Sequence, residues 1–160
     1  MDVIAFMDSR KMNQSNDHKA NVLFICTHNA ARSQMAEGLL RTLYGNHYEA
    51  YSGGLEPSSV NPYAIKVMAE IGIDISGQHS KGIEGFYDMK IDHVVTVCDH
   101  AHQKCPFFAG GKNYIHKSFE DPATFEGSED ETLNIFRRIR DEIKDWIEKT
   151  FGNENRSNKE

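Results

Sequence analysis

Hydrophobic positions along the chain fall into two periods. Val22 to Ile25 form an unbroken apolar run that ends on Cys26, as expected of a strand covered on both faces. Just beyond it, Met35, Ala36, Leu39, Leu40 and Leu43 recur every three or four positions, which predicts a helix starting near Arg32. The alternation then repeats. YEAYSGG reads as a strand, Asn61 and Pro62 open a helix through AIKVMAEIG, DHVVTVCD is a β-branched strand, and NYIHKSF supplies a short fourth. Leu133, Phe136, Ile139, Ile143, Trp146 and Ile147 lay an apolar stripe on a long last helix, stopped by Gly152.

Strands alternating with helices imply an α/β fold with three layers, a parallel sheet flanked by helices. In such sheets ligands bind beyond the carboxyl ends of the strands, and both VLFIC and VVTVC finish on cysteine there. Two thiols are therefore expected at one site.

Composition narrows this picture. A chain of 160 residues with 39% hydrophobic and 26% charged residues builds one core, which we place at residues 20–151. A polar extension (1–19) and a polar tail (152–160) are expected to be flexible. A net charge of -6 speaks against a nucleic-acid binder, so any anion site must be local. The amino-terminal apolar scrap VIAF is too short for a signal peptide or a membrane span, and a cytoplasmic, membrane-free monomer is expected. Three cysteines do not make a disulfide framework; in a reducing compartment they remain thiols available for chemistry.

The loop Cys26 to Ser33, CTHNAARS, suits an oxyanion. Its backbone N–H groups and the first helical turn point at one spot, where the helix dipole favours negative charge. Arg32 adds a planar fork that donates two parallel hydrogen bonds. Small Ala30 and Ala31 let the backbone approach, and the same field favours the Cys26 thiolate as nucleophile. Thr27, His28, Asn29, Ala30, Ala31, Arg32 and Ser33 are the expected oxyanion-binding residues. Ser33 is expected to donate to the Cys26 sulfur and to cap the helix, Asn29 to pin the loop, and His28 to tune its shape. The competing reading makes Cys26 a small core residue and Arg32 a solvated side chain.

CTHNAARSQMAEG resembles the phosphate-binding loop of the low-molecular-weight tyrosine phosphatase fold, and more closely that of its arsenate reductase branch. FEDPA and FRRIRDEI are similar to that branch as well. The resemblance spans roughly Asn21 to Ile147 and implies a four-stranded parallel sheet flanked by helices. In VTVCDHAHQKCPFF, Cys98 and Cys105 lie seven apart. A second thiol can attack the sulfur of an arsenylated cysteine and expel the reduced product, after which a third takes over the disulfide. The resemblance implies that order: Cys26 attacks arsenate, Cys98 attacks Cys26, and Cys105 attacks Cys98, leaving a Cys98–Cys105 disulfide for thioredoxin. Glutaredoxin or glutathione is the alternative donor. The segment Asp99 to Lys104 must then move.

Asp121, in SFEDPATF before the restricting Pro122, takes the role of the loop aspartate that assists oxyanion loss; Glu120 is the neighbour with which it could be confused, and the plainer alternative is a turn. Some family members hold potassium near the loop, through ligands that match Asn29, Glu37 and Ser52. The remaining carboxylate position falls on Lys81, so a built-in ammonium stands against the ion and no tightly bound cofactor is expected. Zinc on Cys98, His100, His102 and Cys105 is a weaker alternative, because the spacing is not that of paired zinc motifs and a closed site would lock the thiols; no metal is expected. Two other activities remain in play: a tyrosine phosphatase with two incidental cysteines, and a metalloid- or metal-binding protein without turnover.

Overall fold

In the computed structural model, which describes residues 19–104 and 108–152, four strands run parallel in the order β2-β1-β3-β4. They are β1 (Ala20–Cys26), β2 (Tyr48–Gly54), β3 (Ile91–Thr96) and β4 (Gly111–His116). Helices α1 (Arg32–Tyr44), α2 (Pro62–Glu70), α3 (Asp99–Lys104) and α4 (Glu129–Ile147) flank them, giving the three-layer α/β fold expected from the alternation of periods. The expected extension and tail fall almost wholly outside the described residues.

Why β1 is central follows from its side chains. Val22, Leu23, Phe24 and Ile25 are all wholly buried, which only a strand covered on both faces and paired on both edges can achieve. The chain leaves β1, pairs β2 on one side and returns to place β3 on the other. That reversal opens a crevice beyond the carboxyl ends of β1 and β3, where ligands bind in this class of sheet. The register sets Ile25 beside Thr96, and the Val97 N–H still donates to Ile25 O at 2.9 Å.

Cys26 ends β1, but β3 stops at Thr96, so Cys98 does not finish a strand as expected; it lies in the turn before α3. The segment expected to be movable is that short helix. Cys105 lies outside the described residues.

On α4 the apolar stripe is buried as patterned, Leu133, Phe136, Ile139, Ile143 and Ile147 all facing inward. Each such large side chain contributes about 2 kcal/mol on leaving water. A capping box closes its first turn, with Ser128 Oγ accepting from the Glu131 N–H and the Glu131 carboxylate accepting from the Ser128 N–H. At the other end the helix passes into a π turn, Glu148–Gly152, that buries Phe151 and Gly152.

Candidate active site

The loop after β1 is built by its carbonyls. The carbonyl oxygens of Cys26, Thr27, His28 and Ala30 accept from the N–H groups of Leu55, Glu56, Ser58 and Asn61, at 2.8 to 3.3 Å. A trans peptide points its N–H opposite to its C=O. With those four carbonyls turned onto the segment after β2, the N–H groups of Thr27, His28, Asn29 and Ala31 turn the other way, and Asn29 N–H donates to Cys26 Sγ at 3.2 Å.

Gly54, at the end of β2, permits this closeness. A Cβ there would lie 2.9 Å from both Asn29 N and Thr27 O, so any larger residue would push the loop away.

Asn29 is the hub. It takes a left-handed φ of 50°, which asparagine tolerates better than most residues, and is wholly buried. Its side-chain nitrogen donates to Ser33 Oγ at 2.8 Å, and its side-chain oxygen accepts from Gln34 Nε2 and the Lys81 N–H. Ser33 Oγ lies 2.8 Å from Cys26 Sγ. Ser33 is therefore not the helix cap: α1 begins after Ala31 with no side-chain cap, and the Ser33 hydroxyl is committed to Asn29 and Cys26.

The Arg32 guanidinium is held by the segment after β4. Its Nη1 donates to Phe119 O at 3.1 Å and its Nη2 lies 3.5 Å from Asp121 Oδ2. Asp121 sits at the start of a 3-10 turn, Pro122–Thr124, where its other oxygen accepts from the Ala123 N–H. The turn reading and the placement beside the loop both describe it. Glu120 points elsewhere, pairing with Arg138 on α4.

Cys98 joins the same site. Its sulfur lies 3.4 Å from Thr27 Oγ1 and accepts from the Ala101 N–H in the first turn of α3, at 3.4 Å. Cys26 and Cys98 are both buried free thiols, 2% and 3% exposed, so neither is open to arbitrary oxidants. The His28 ring stands exposed, with its Nδ1 3.0 Å from Glu56 O.

The other residues matched by resemblance also gather here. Glu37 is buried, not an exposed helix residue; its Oε1 accepts from Ser52 Oγ at 2.6 Å and lies 3.6 Å from Lys81 Nζ, while Arg41 pairs with its other oxygen. Lys81 Nζ also donates to His79 O at 2.9 Å. His102 stacks on His116 instead of turning toward Cys98, and among the described residues no three His, Cys, Asp or Glu side chains converge as a metal ion requires. Among the described residues, too, no helix is long and apolar enough to cross a membrane.

Sequence reasoning missed Gln34. It is wholly buried in the first turn of α1, donates to Asn29 O, Asn29 Oδ1 and His79 O, and is gripped in turn by Gln78. A polar residue early in a helix ordinarily reads as solvated, so the only available signal was its place just after the loop.

Comparison with known proteins agrees with this geometry. Residues 21–159 match the low molecular weight phosphotyrosine protein phosphatase family. An arsenate reductase of Halalkalibacterium halodurans is 47% identical over 134 residues, 84% of this chain and 96% of that protein. The solved structure of an arsenate reductase in the phosphate binding state superposes with a TM-score of 0.68 at 35% identity, covering 84% of this chain and 98% of that one. A thioredoxin-dependent arsenate reductase of Corynebacterium glutamicum gives a TM-score of 0.56 at 32% identity, over 77% of this chain and 59% of that one. From its fold and these relatives, the chain belongs to the low molecular weight phosphotyrosine protein phosphatase family, alongside that family's arsenate reductases.

Proposed function

We propose that this protein reduces arsenate to arsenite by a relay through Cys26, Cys98 and Cys105, and that thioredoxin restores the thiols. The observation that carries the reading is Cys98 Sγ at 3.4 Å from Thr27 Oγ1, a second thiol against the residue that follows the nucleophile. Hydrolysis needs only one cysteine; reduction needs a resolving thiol within reach.

Arsenate is a tetrahedral oxyanion, matched by the inward N–H groups of the loop and by the Arg32 fork. The Cys26 thiolate, supported by hydrogen bonds from Ser33 Oγ and Asn29 N–H, attacks arsenic; an S–As bond forms and an oxygen departs as water. Asp121, beside Arg32, serves the proton taken up by that oxygen. Cys98 then attacks Cys26 Sγ: an S–S bond forms, the S–As bond breaks, and arsenic keeps the pair as arsenite. Cys105 attacks Cys98 next and frees Cys26 as a thiolate. The resulting disulfide is opened by thioredoxin, with glutaredoxin or glutathione as the rival donor, in the reducing cytoplasm.

Potassium has no part in this reading. The Lys81 ammonium lies 3.4 Å from Ser52 Oγ and 3.6 Å from Glu37 Oε1, two groups that would have to hold the ion, so a second cation would meet a fixed positive charge. Turnover is expected to be indifferent to exchanging potassium for sodium.

The test is arsenate-dependent NADPH oxidation with thioredoxin and thioredoxin reductase, in wild type and in Cys98→Ser and Cys105→Ser. Multiple turnover should vanish in both variants while Cys26 still reacts once; undiminished turnover sinks the relay. A wild type that hydrolyses an aryl phosphate yet ignores arsenate would belong with the phosphatases, whose oxyanion shares shape and charge with arsenate. Stoichiometric metalloid binding without thiol oxidation would mark a binding protein.

A further inference from the structure

The oxyanion loop owes one of its N–H donors to a buried side chain instead of to the segment after β2. A peptide's N–H points opposite to its C=O, so each loop donor is aimed by whatever holds the carbonyl before it. The carbonyls of Cys26, Thr27, His28 and Ala30 are taken by main-chain N–H groups of residues 55 to 61, and Ala31 O accepts from the Met35 N–H at 2.9 Å. Asn29 O is held differently. It accepts from Gln34 Nε2 at 3.0 Å, and that bond orients the Asn29–Ala30 peptide, whose N–H belongs to Ala30.

Gln34 is itself fixed at both ends of its amide. The side chain is wholly buried in the first turn of α1, and its nitrogen also lies 2.9 Å from Asn29 Oδ1 and 2.9 Å from His79 O. Three oxygens surround that atom, so only the nitrogen end of the amide fits there. Its oxygen accepts from Gln78 Nε2 at 2.8 Å, and Gln78 Oε1 accepts in turn from Arg41 Nη1 at 3.1 Å. Methionine would fill the same volume without a donor, and glutamate would set a fourth oxygen against three. Freed of Gln34, the Asn29–Ala30 peptide can tilt and carry the Ala30 N–H off a bound anion.

We propose that Gln34 is a positioning residue for the oxyanion: through Asn29 O it aims the Ala30 N–H into the cradle, beside the donors that the segment after β2 orients. The inference rests on the oxyanion-binding role proposed above for the loop. Gln34 serves the anion and not the sulfur, because the partners of Cys26 Sγ are held by other means. The Asn29 N–H that donates to the sulfur belongs to the peptide of His28 O, which accepts from the Ser58 N–H and from Ser80 Oγ. Ser33 Oγ, the other partner, is met by the Asn29 side chain, whose oxygen the Lys81 N–H holds at 3.0 Å besides Gln34.

The test uses the full chain with Cys98 and Cys105 changed to serine, so that Cys26 is the single thiol, and follows its alkylation by iodoacetamide with and without inorganic phosphate. In Gln34→Met the phosphate concentration that halves the alkylation rate should rise about tenfold, the loss of one hydrogen bond to a charged group, while the rate without phosphate and its pH profile stay within about twofold of the parent. Gln78→Met loosens Gln34 but leaves its donors in place, and should weaken phosphate about threefold; it carries the test if Gln34→Met does not fold. Phosphate should also move the Ala30 amide proton downfield in the parent and far less in Gln34→Met, with Thr27 and His28 responding in both. A phosphate constant unchanged in both variants, or an alkylation pH profile that moves as far as the phosphate constant does, would overturn the inference. If phosphate never slows alkylation in the parent, the loop is no oxyanion site, and the proposed function fails before the role of Gln34 does.

Discussion

The loop after β1 and the segment after β3 leave neighbouring strands at one sheet edge, yet they are anchored in opposite ways. In the loop, carbonyls are taken up by residues 55, 56, 58 and 61, Asn29 is wholly buried, and Gln34, Ser33 and Lys81 close around it. In α3 only Ala101 is buried, and the outer hold is one stacked ring and one hydrogen bond between His116 and the Asp99 carboxylate, which is 72% exposed. The difference matches what the proposed relay asks of each. A cradle that stabilises developing charge gains by being fixed beforehand, whereas a thiol proposed to meet two sulfurs in succession gains from riding on a less firmly held element.

The sharpest way to break this comparison is at the cradle. Arg32→Lys leaves a positive charge but loses the fork, and arsenate turnover should fall by roughly 100- to 1000-fold with the thermal midpoint little changed. A fall below tenfold would mean that the arginine is not aimed at the oxyanion.

Next comes the hub. Asn29→Ala strands buried partners on Ser33, Gln34 and Lys81 and leaves alanine in the left-handed region, so denaturant unfolding should show a loss of about 3 kcal/mol. Asp99→Ala, at the hub of the other region, should move the same transition far less. Equal losses would erase the contrast.

Gly54→Ala probes the loop from behind. Its Cβ meets loop backbone at 2.9 Å, which cannot yield as a flexible side-chain tip would, so a cost of about 1–3 kcal/mol and a weakened affinity for phosphate are expected.

The smallest expected effect belongs to pH. Asp99 is held below its ordinary value of 3.8 by His116 and Ser118, with His102 adding to the field. A carboxyl depressed in the folded state stabilises fully above its unfolded value and loses that contribution as pH falls through the folded value. Below about pH 3.8, α3 amides should therefore lose protection before those of residues 26–33, and Asp99→Asn should abolish the difference. Hydrogen exchange corrected for intrinsic rates measures both.

Much of this was legible in the chain because it depends on neighbours in sequence. Apolar periods placed four strands and the long α4, and the small residues after Cys26 pointed to a loop that the structure places between β1 and α1. Where local reading overreached, it did so by assigning a residue its commonest local role. Ser33 read as a cap because serine near a helix start usually is one, but its hydroxyl is claimed by Asn29 and Cys26. VVTVC read as a strand ending on cysteine because β-branched runs extend, although pairing with β4 and the turn into α3 stop β3 at Thr96.

By itself, then, the sequence determined the four strands apart from the end of β3, and the helices α1, α2 and α4 but not the short α3, since hydrophobic period acts over a few residues. Only the tertiary structure decided who meets whom: Thr27 with Cys98, Glu37 with Lys81, Asp121 with Arg32, and His116 with Asp99. Apart from the last pair, these partners lie 44 or more positions apart, and no local propensity chooses among distant polar groups. The register of a parallel sheet chooses, by fixing which strand ends share an edge and which side chains are left there to satisfy one another.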